Sequence, residues 1–268
     1  LEAEDRVGAV LDVREPPAGI DKTVVKSLAM LEHLVDLGRP AGITELALAS
    51  GLQKSNVHRI LSTLRFTGYV RSTAASAYEP TLRAWELGQR IHARMDIAAI
   101  ARPHLRRLVQ ASDETSHLAI FEGTEIVYIE KVETANPVRA HTPLGGRAPA
   151  YCTASGKALL GGQAPTVVAE VARLSVRHTP STIIKRDELV RAVEQARERG
   201  YATNIGEFRP NVGGVAAPVT NRLGDVVAAV GIAGPLDRLK WPRIRQLAPV
   251  VMAVGADISA EIGADRQR

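Results

Sequence analysis

The chain carries a single cysteine in 268 residues. That excludes an internal disulfide framework and leaves a reducing compartment as the simple expectation. No apolar run approaches the roughly 20 residues that a membrane span requires, and the opening LEAEDRVGAV lacks the basic and apolar regions of a signal peptide. A cytoplasmic protein with no membrane partner is expected. No fixed period of self-similarity points to a repeat protein. The seven histidines are scattered without paired spacing and only one thiol is available, so neither a metal site nor a cofactor is expected. A histidine joined by carboxylates from distant strands is an arrangement that spacing does not reveal.

One further absence is local. Between Leu46 and Tyr78 there are four basic residues (Lys54, Arg59, Arg65 and Arg71) and no Asp or Glu, although the chain holds 29 acidic residues. Acids are missing where a phosphate backbone would lie. The net charge of +5 and the pI near 9.5 fit a polyanionic partner, though an excess of this size suits many other proteins.

The stretch ITELALASGLQKSNVHRILSTLRFTGYV, Ile43 to Val70, reads as two short amphipathic helices meeting at a glycine turn. Leu46, Ala47 and Leu52 pack one side, and Val57, Ile60, Leu61 and Leu64 repeat at helical spacing. Gly51 stands where the first helix must stop, because glycine takes the left-handed conformation without a Cβ clash. Gln53, Lys54, Ser55, Asn56, His58 and Arg59 crowd the start of the second helix with groups suited to phosphates or base edges. This is the pattern of a helix-turn-helix whose second helix enters a major groove. A plain helical hairpin with a solvated basic face is the alternative. Upstream, Val24, Val25, Leu28, Leu31, Leu34, Val35 and Leu37 mark a helix able to close a three-helix core. Downstream, Tyr69-Val70-Arg71 and Ala77-Tyr78-Glu79 read as the two strands of a wing.

At 268 residues with 45% apolar content, the chain is long enough for two domains with a core in each. Residues 1–20, with Pro16-Pro17 and Gly19, are expected to form a mobile arm, residues 21–80 the DNA-binding domain, 81–95 a linker helix, and 96–268 a second domain. The pattern is helical from Thr81 to about Ser112, with Leu82, Trp85, Leu87 and Ile91 offering a seam for a second subunit. Pro103 suggests a second helix beginning there or shortly before. Beyond it, Ser116 to Phe121 and Ile126 to Val132 form a hairpin around Glu122-Gly123-Thr124. Val138 to Thr142 reads as a strand, Ala154 to Leu160 as a short helix behind Thr153, and Arg186 to Gly200 as a helix with a glycine cap. A second hairpin, Gly213 to Val219 with Val226 to Ile232, precedes a terminal helix from Trp241 to Ile262. Strands and helices interleave in an α+β manner.

These segments resemble the IclR family of bacterial transcriptional regulators over almost the whole chain after the arm. GLQKSNVHRILSTL is similar to that family's recognition helix. GRAPAYCTASGKALL, RERGYATNIGEFRPNVGGVAAPV and GDVVAAVGIAGP are similar, in order, to three signatures of its effector-binding domain. The resemblance implies a two-domain fold: an all-α winged helix-turn-helix, a linker helix, and a GAF-like α+β domain in which helices flank a curved antiparallel sheet. It further implies a small organic effector, a homodimer or dimer of dimers, and double-stranded DNA with a pseudo-palindromic operator. Function is expected to be that of a repressor of a catabolic operon, with an activator of the same class, an enzyme bearing a nucleic-acid-binding appendage, or an architectural DNA binder as alternatives. Arg59 and Asn56 are the candidates for base contact; Lys54, Ser55 and Arg71 are those for phosphate, with His58 beside them on the recognition helix.

Residue chemistry fits binding better than catalysis. Gly156-Lys157 fails as a phosphate loop, because Tyr151 stands where a glycine is needed and Ala158 where a hydroxyl is needed. Cys152 lacks a recognisable catalytic signature. The effector is expected between the loop Gly145 to Thr153 and the strands of the second hairpin. There Gly145 and Gly146 would expose backbone amides, Thr153 would begin a helix, and Arg147 and Tyr151 would line the entrance, with Cys152 beside them. Alternatively the glycines serve turns and Thr153 is only a cap. Relatives that bind very small keto acids tend to have an acid near Asn204, a thiol or hydroxyl at Gly214, and serines at Gly231 and Ala233. The smaller or less charged residues here suggest more room and a flatter ligand, an aromatic acid or amide-like derivative. His117 and Phe121 are candidates for the same cavity, although alternation alone does not say which face is inward.

Overall fold

The computed structural model describes residue 17 and residues 19–92 and 96–265, and the chain divides into two compact units, residues 1–94 and 95–268. The arm expected over residues 1–20 falls, through residue 16, outside the described residues.

In the first unit, helix α1 spans Lys22–Leu37. Asp21 caps it by accepting from the Thr23 and Val24 amides, and Gly38, at φ 62°, ends it. Helix α2, Ile43–Ser50, stops at Gly51 with φ 65°. Helix α3, Lys54–Phe66, follows and buries Val57, Ile60, Leu61 and Leu64. Strands β1, Val70–Ser72, and β2, Tyr78–Pro80, pair antiparallel, and Ala41 bridges to Tyr78. The core differs in one respect from the expectation. On α1 it is Met30 and Leu34 that are buried, whereas Val24, Leu28 and Val35 are each more than half exposed. A helix resting on two others needs only one narrow stripe, so the second apolar stripe of α1 faces outward.

Helix α4, Arg83–His92, exposes Leu82 just before it and Trp85 and Leu87 within it. Helix α5 runs Asp96–Ser112 with Pro103 inside it, so the helix does not begin at the proline. Proline costs the Ala99 carbonyl its intrahelical partner. Its ring is exposed, while Ala101, Leu105 and Leu108 on the opposite side are fully buried and hold the helix against the sheet.

The second unit is built on six antiparallel strands: β3 Thr115–Glu122, β4 Glu125–Val132, β5 Arg147–Pro149, β6 Ala202–Ile205, β7 Val212–Thr220 and β8 Val226–Pro235. They lie in the order β5-β4-β3-β8-β7-β6. Alternation sorts their residues onto two faces. Leu118, Val215, Ala217, Val230 and Ile232 pack beneath α5 and the last helix, α9, Trp241–Asp265. Ala119, Ile126, Ala216 and Ala229 pack beneath α6 Ala154–Leu160, α7 Pro165–Arg173 and α8 Arg186–Arg199. Opposite Leu118 and Ala119, the β3–β4 register shifts by one residue at Ile129, so Ile129 and Glu130 both face α5 while Tyr128 lies on the other side.

Val138 to Thr142 is not a strand. Beside β4, the pairing positions are taken by β5 and by Gly145 and Gly146, which bond Tyr128, and the segment lies between Pro137 and Pro143, which have no N–H to give. The sequence reading also passed over α7, which begins on Pro165, and the short β6.

Candidate functional site

Most of the residues expected to meet nucleic acid stand at the start of α3. Lys54, Ser55, His58 and Arg59 are exposed there and Asn56 is half-buried. Arg59 reaches back to the Asn56 amide oxygen at 3.4 Å, so the two candidates for base contact form one patch. No side chain caps this helix, which leaves its first amides directed outward. Arg71, expected to hold phosphate, is exposed on the wing and already ion-paired. It stands opposite Glu79 in the wing register, and its Nε lies 2.7 Å from that carboxylate. The acid-free stretch ends one residue short of Glu79.

Several of the residues expected to meet the effector gather on the sheet face beneath α6. His117, Phe121, Asn204, Gly214, Gly231 and Ala233 all lie on it, because each shares a strand parity with residues packed against α6. Two cross-strand rows organise them. Asn204, Gly214, Ala233 and Thr115 are successive partners in one; Ala202, Ala216, Gly231 and His117 are successive partners in the next. His117 is buried, bonds Ser155 of α6 through Nε2 at 2.7 Å, and meets Tyr128 edge to face with centroids 5.0 Å apart. Burial pulls its pKa down to about 4, so the ring is neutral at physiological pH.

Several expected roles change. The Gly145 and Gly146 amides are not free: Gly145 donates to the Tyr128 carbonyl at 2.8 Å and Gly146 to the Pro143 carbonyl at 3.0 Å. Gly145 takes φ 73°, and a Cβ on Gly146 would strike the Pro143 ring, so turn geometry explains both glycines. Arg147 is on the edge strand, paired with Glu122 and Glu125. Tyr151 is buried rather than at an entrance; its hydroxyl accepts from the Val176 amide and lies 2.9 Å from both the Val176 carbonyl and His178 Nε2. Thr153 caps α6 by accepting from the Gly156 amide and donates to the Pro149 carbonyl. Cys152 is fully buried, with its thiol pushed up to about 12 by burial and by Glu207, which leaves no nucleophilic thiolate. Asn204 accepts from the Glu207 amide at 2.8 Å. The glycines do not leave vacant space. A Cβ on Gly231 would lie 2.8 Å from the Ala216 Cβ, and one on Gly214 would lie 2.7 Å from the Ile232 carbonyl.

Sequence reasoning missed three side chains. Ser155 was hidden as one unremarkable position of a helix. Tyr128 could have been placed by alternation with Ile126, since the register shift comes only after it. Lys157 was weighed only as a phosphate ligand, yet it is buried with both Glu207 oxygens at 2.6 Å. Burial lowers the Lys157 pKa and the paired carboxylate raises it. Among the described residues there is no group of three or more His, Cys, Asp or Glu side chains arranged for a metal, and no helix long and apolar enough to cross a membrane.

The family model of the bacterial transcriptional regulator IclR C-terminal domain matches residues 89–260, and that of the IclR helix-turn-helix domain matches residues 23–74. The chain belongs to the IclR family. Its IclR relatives include the HTH-type transcriptional regulator KdgR of Escherichia coli K12, 31% identical over 255 residues that make up 94% of this chain and 96% of that one. KipR of Bacillus subtilis strain 168, also an HTH-type transcriptional regulator, is 30% identical and covers 91% and 98%. The IclR crystal structure of Thermotoga maritima superposes with a TM-score of 0.76 at 28% identity, covering 90% and 98%. IclR-type proteins join a helix-turn-helix to an effector-binding domain, and this chain is a transcriptional regulator rather than an enzyme.

Proposed function

We propose that this regulator is a repressor of a catabolic operon and that its effector is a flat aromatic acid or amide-like derivative. The carrying observation is the composition of the face beneath α6. Phe121, Tyr128, Tyr151 and Phe208 all pack on that cluster, in a chain with ten Phe, Trp and Tyr residues altogether. Stacking surfaces favour a ring over a two- or three-carbon acid. The exposed Arg209 lies over the Phe208 ring at 5.7 Å and supplies a charge for a carboxylate at the rim. The same fold holds 4-hydroxybenzoate in an IclR homologue of Microbacterium hydrocarbonoxydans. The repressor reading is supported by E. coli AllR, named a transcriptional repressor and 30% identical over 246 residues.

The division into an arm (1–20), a DNA-binding head (21–80), a linker helix (81–95) and an effector and oligomerisation domain (96–268) belongs to the same reading, as do a cytoplasmic location and a homodimer or dimer of dimers. Exposed Leu82 and Trp85 around α4 support self-association. Two heads would read a pseudo-palindrome with half-sites spaced by the helical repeat. The effector binds one arrangement better than the other and so shifts the DNA-competent population.

Mobility-shift titration on the upstream intergenic DNA, with pyruvate and 4-hydroxybenzoate as competing ligands, tests this. Release of DNA by the ring acid is expected; tight pyruvate binding refutes the aromatic reading. In the same assay Arg59→Ala should cost about 1–3 kcal/mol and blur discrimination between operator and random DNA, whereas Lys54→Ala should weaken both about equally.

A further inference from the structure

Two buried side-chain polar atoms lack a partner among the described residues, His117 Nδ1 and Thr142 Oγ1. The first is the more informative because its other nitrogen is committed. Ser155 is itself buried, and its hydroxyl has His117 as its one hydrogen-bond partner among the described residues. That pair can share a proton in two ways. If Nε2–H donates to Ser155, the Ser155 proton and the Nδ1 lone pair are both left unmet in a buried site. If Ser155 donates to Nε2, the ring carries its proton on Nδ1, and that N–H and the Ser155 lone pairs are left unmet. Both arrangements therefore leave Nδ1 without a partner. In the second, the imidazole is neutral, its Nε2 is held by Ser155, and Nδ1 carries an N–H with no acceptor.

A native fold seldom tolerates such a group without a use for it. Tyr128 packs against this ring edge to face, and Gly231, its cross-strand neighbour, has no side chain to supply an acceptor. The buried ammonium of Lys157 is taken by Glu207, so the interior of this face offers no free cation among the described residues. A neutral donor in such surroundings suits a neutral oxygen, since a carboxylate would lose its hydration without gaining a countercharge.

We infer that His117 Nδ1–H, held in that tautomer by Ser155, donates a hydrogen bond to a carbonyl-type oxygen on the inner end of the effector ring. This rests on the aromatic reading above. Ser155 is thereby a positioning residue, and the site discriminates ring acids by what they carry opposite the carboxylate.

The probes are 4-acetylbenzoate and 4-ethylbenzoate, which match in shape and differ in the carbonyl. Calorimetry on the full chain should show at least tenfold tighter binding of the acetyl compound. His117→Phe and Ser155→Ala should each abolish that preference while still binding the ethyl compound, and His117→Asn, which keeps an N–H near the Nδ1 position, should retain most of it. Nitrogen-15 spectra of histidine-labelled protein supply a second readout: His117 should be protonated at Nδ1 in the native chain and change on Ser155→Ala, a variant that should fold even if His117→Phe does not. A native Nε2–H tautomer, or a preference unchanged in both the His117→Phe and Ser155→Ala variants, overturns the inference while leaving the aromatic reading standing. Failure of the native chain to bind either ring acid overturns both.

Discussion

His117 ties stability to pH. Its pKa of about 4 in the folded chain lies below the ordinary value of 6.5 because burial disfavours the imidazolium. Between those values the unfolded chain binds a proton that the native chain refuses, so stability is full above pH 6.5 and declines as pH falls. The loss attributable to this one group reaches about 3 kcal/mol near pH 4. Urea unfolding across that range should therefore show a steeper decline for the native chain than for His117→Phe; parallel profiles would contradict a buried neutral ring. Lys157 offers a second test at this scale. Lys157→Met alone should cost about 3–5 kcal/mol by stranding the Glu207 carboxylate, while Lys157→Met with Glu207→Leu should recover most of it in the same denaturation assay. In the wing, Glu79→Gln frees Arg71, so DNA affinity should rise and the salt slope steepen by about one phosphate contact. Arg71 also shows why single residues were the hardest to read. Its partner across a two-strand register is eight positions away, and a running charge count does not see pairing.

Among the elements, hairpins were legible because their alternation and turn glycines are local signals: β3 with β4 and β7 with β8 fall close to where the pattern put them. Contacts that depend on a remote neighbour were not. Val138 to Thr142 has strand-like composition and no unoccupied partner, and Pro103 has a breaker's chemistry but an exposed ring on a helix held from its other side. The seating of α6 is the clearest case of remote packing. A Cβ on Gly156 would lie 2.2 Å from the Ala150 carbonyl, a backbone atom with little freedom to retreat. Gly156→Ala should therefore lose roughly 1–3 kcal/mol or more and lower the urea midpoint, although alanine is the better helix former. A neutral or stabilising effect would show that α6 can lift from the turn before it.

At the scale of the molecule, each unit owns its core. The apolar cluster of α1 to β2 contains no residue beyond Tyr78, and both clusters flanking the six-stranded sheet lie after residue 95. A chain of residues 95–268 should consequently fold, bind the effector with affinity near that of the full protein, and fail to shift DNA; loss of its cooperative thermal transition would contradict that independence. The two-unit plan was legible because the acid-free stretch from Leu46 to Tyr78 and the hairpin-rich remainder differ in composition. Which face of the sheet packs beneath α6 was not, since strand alternation defines two faces and labels neither.

The alternation of β3 has a consequence for signalling. His117 looks toward α6, and Ser116, its chain neighbour, looks the other way and donates to the Leu105 carbonyl of α5 at 2.9 Å. With His117 meeting the effector as proposed, ligand recognition and the grip on α5 would stand back to back on adjacent residues, separated by the thickness of one strand. A signal would then need only a twist of a single peptide unit to reach both sides. Ser116→Ala should leave ligand affinity nearly intact while altering how far the bound ligand weakens DNA binding, a separation that parallel calorimetry and mobility shifts would reveal.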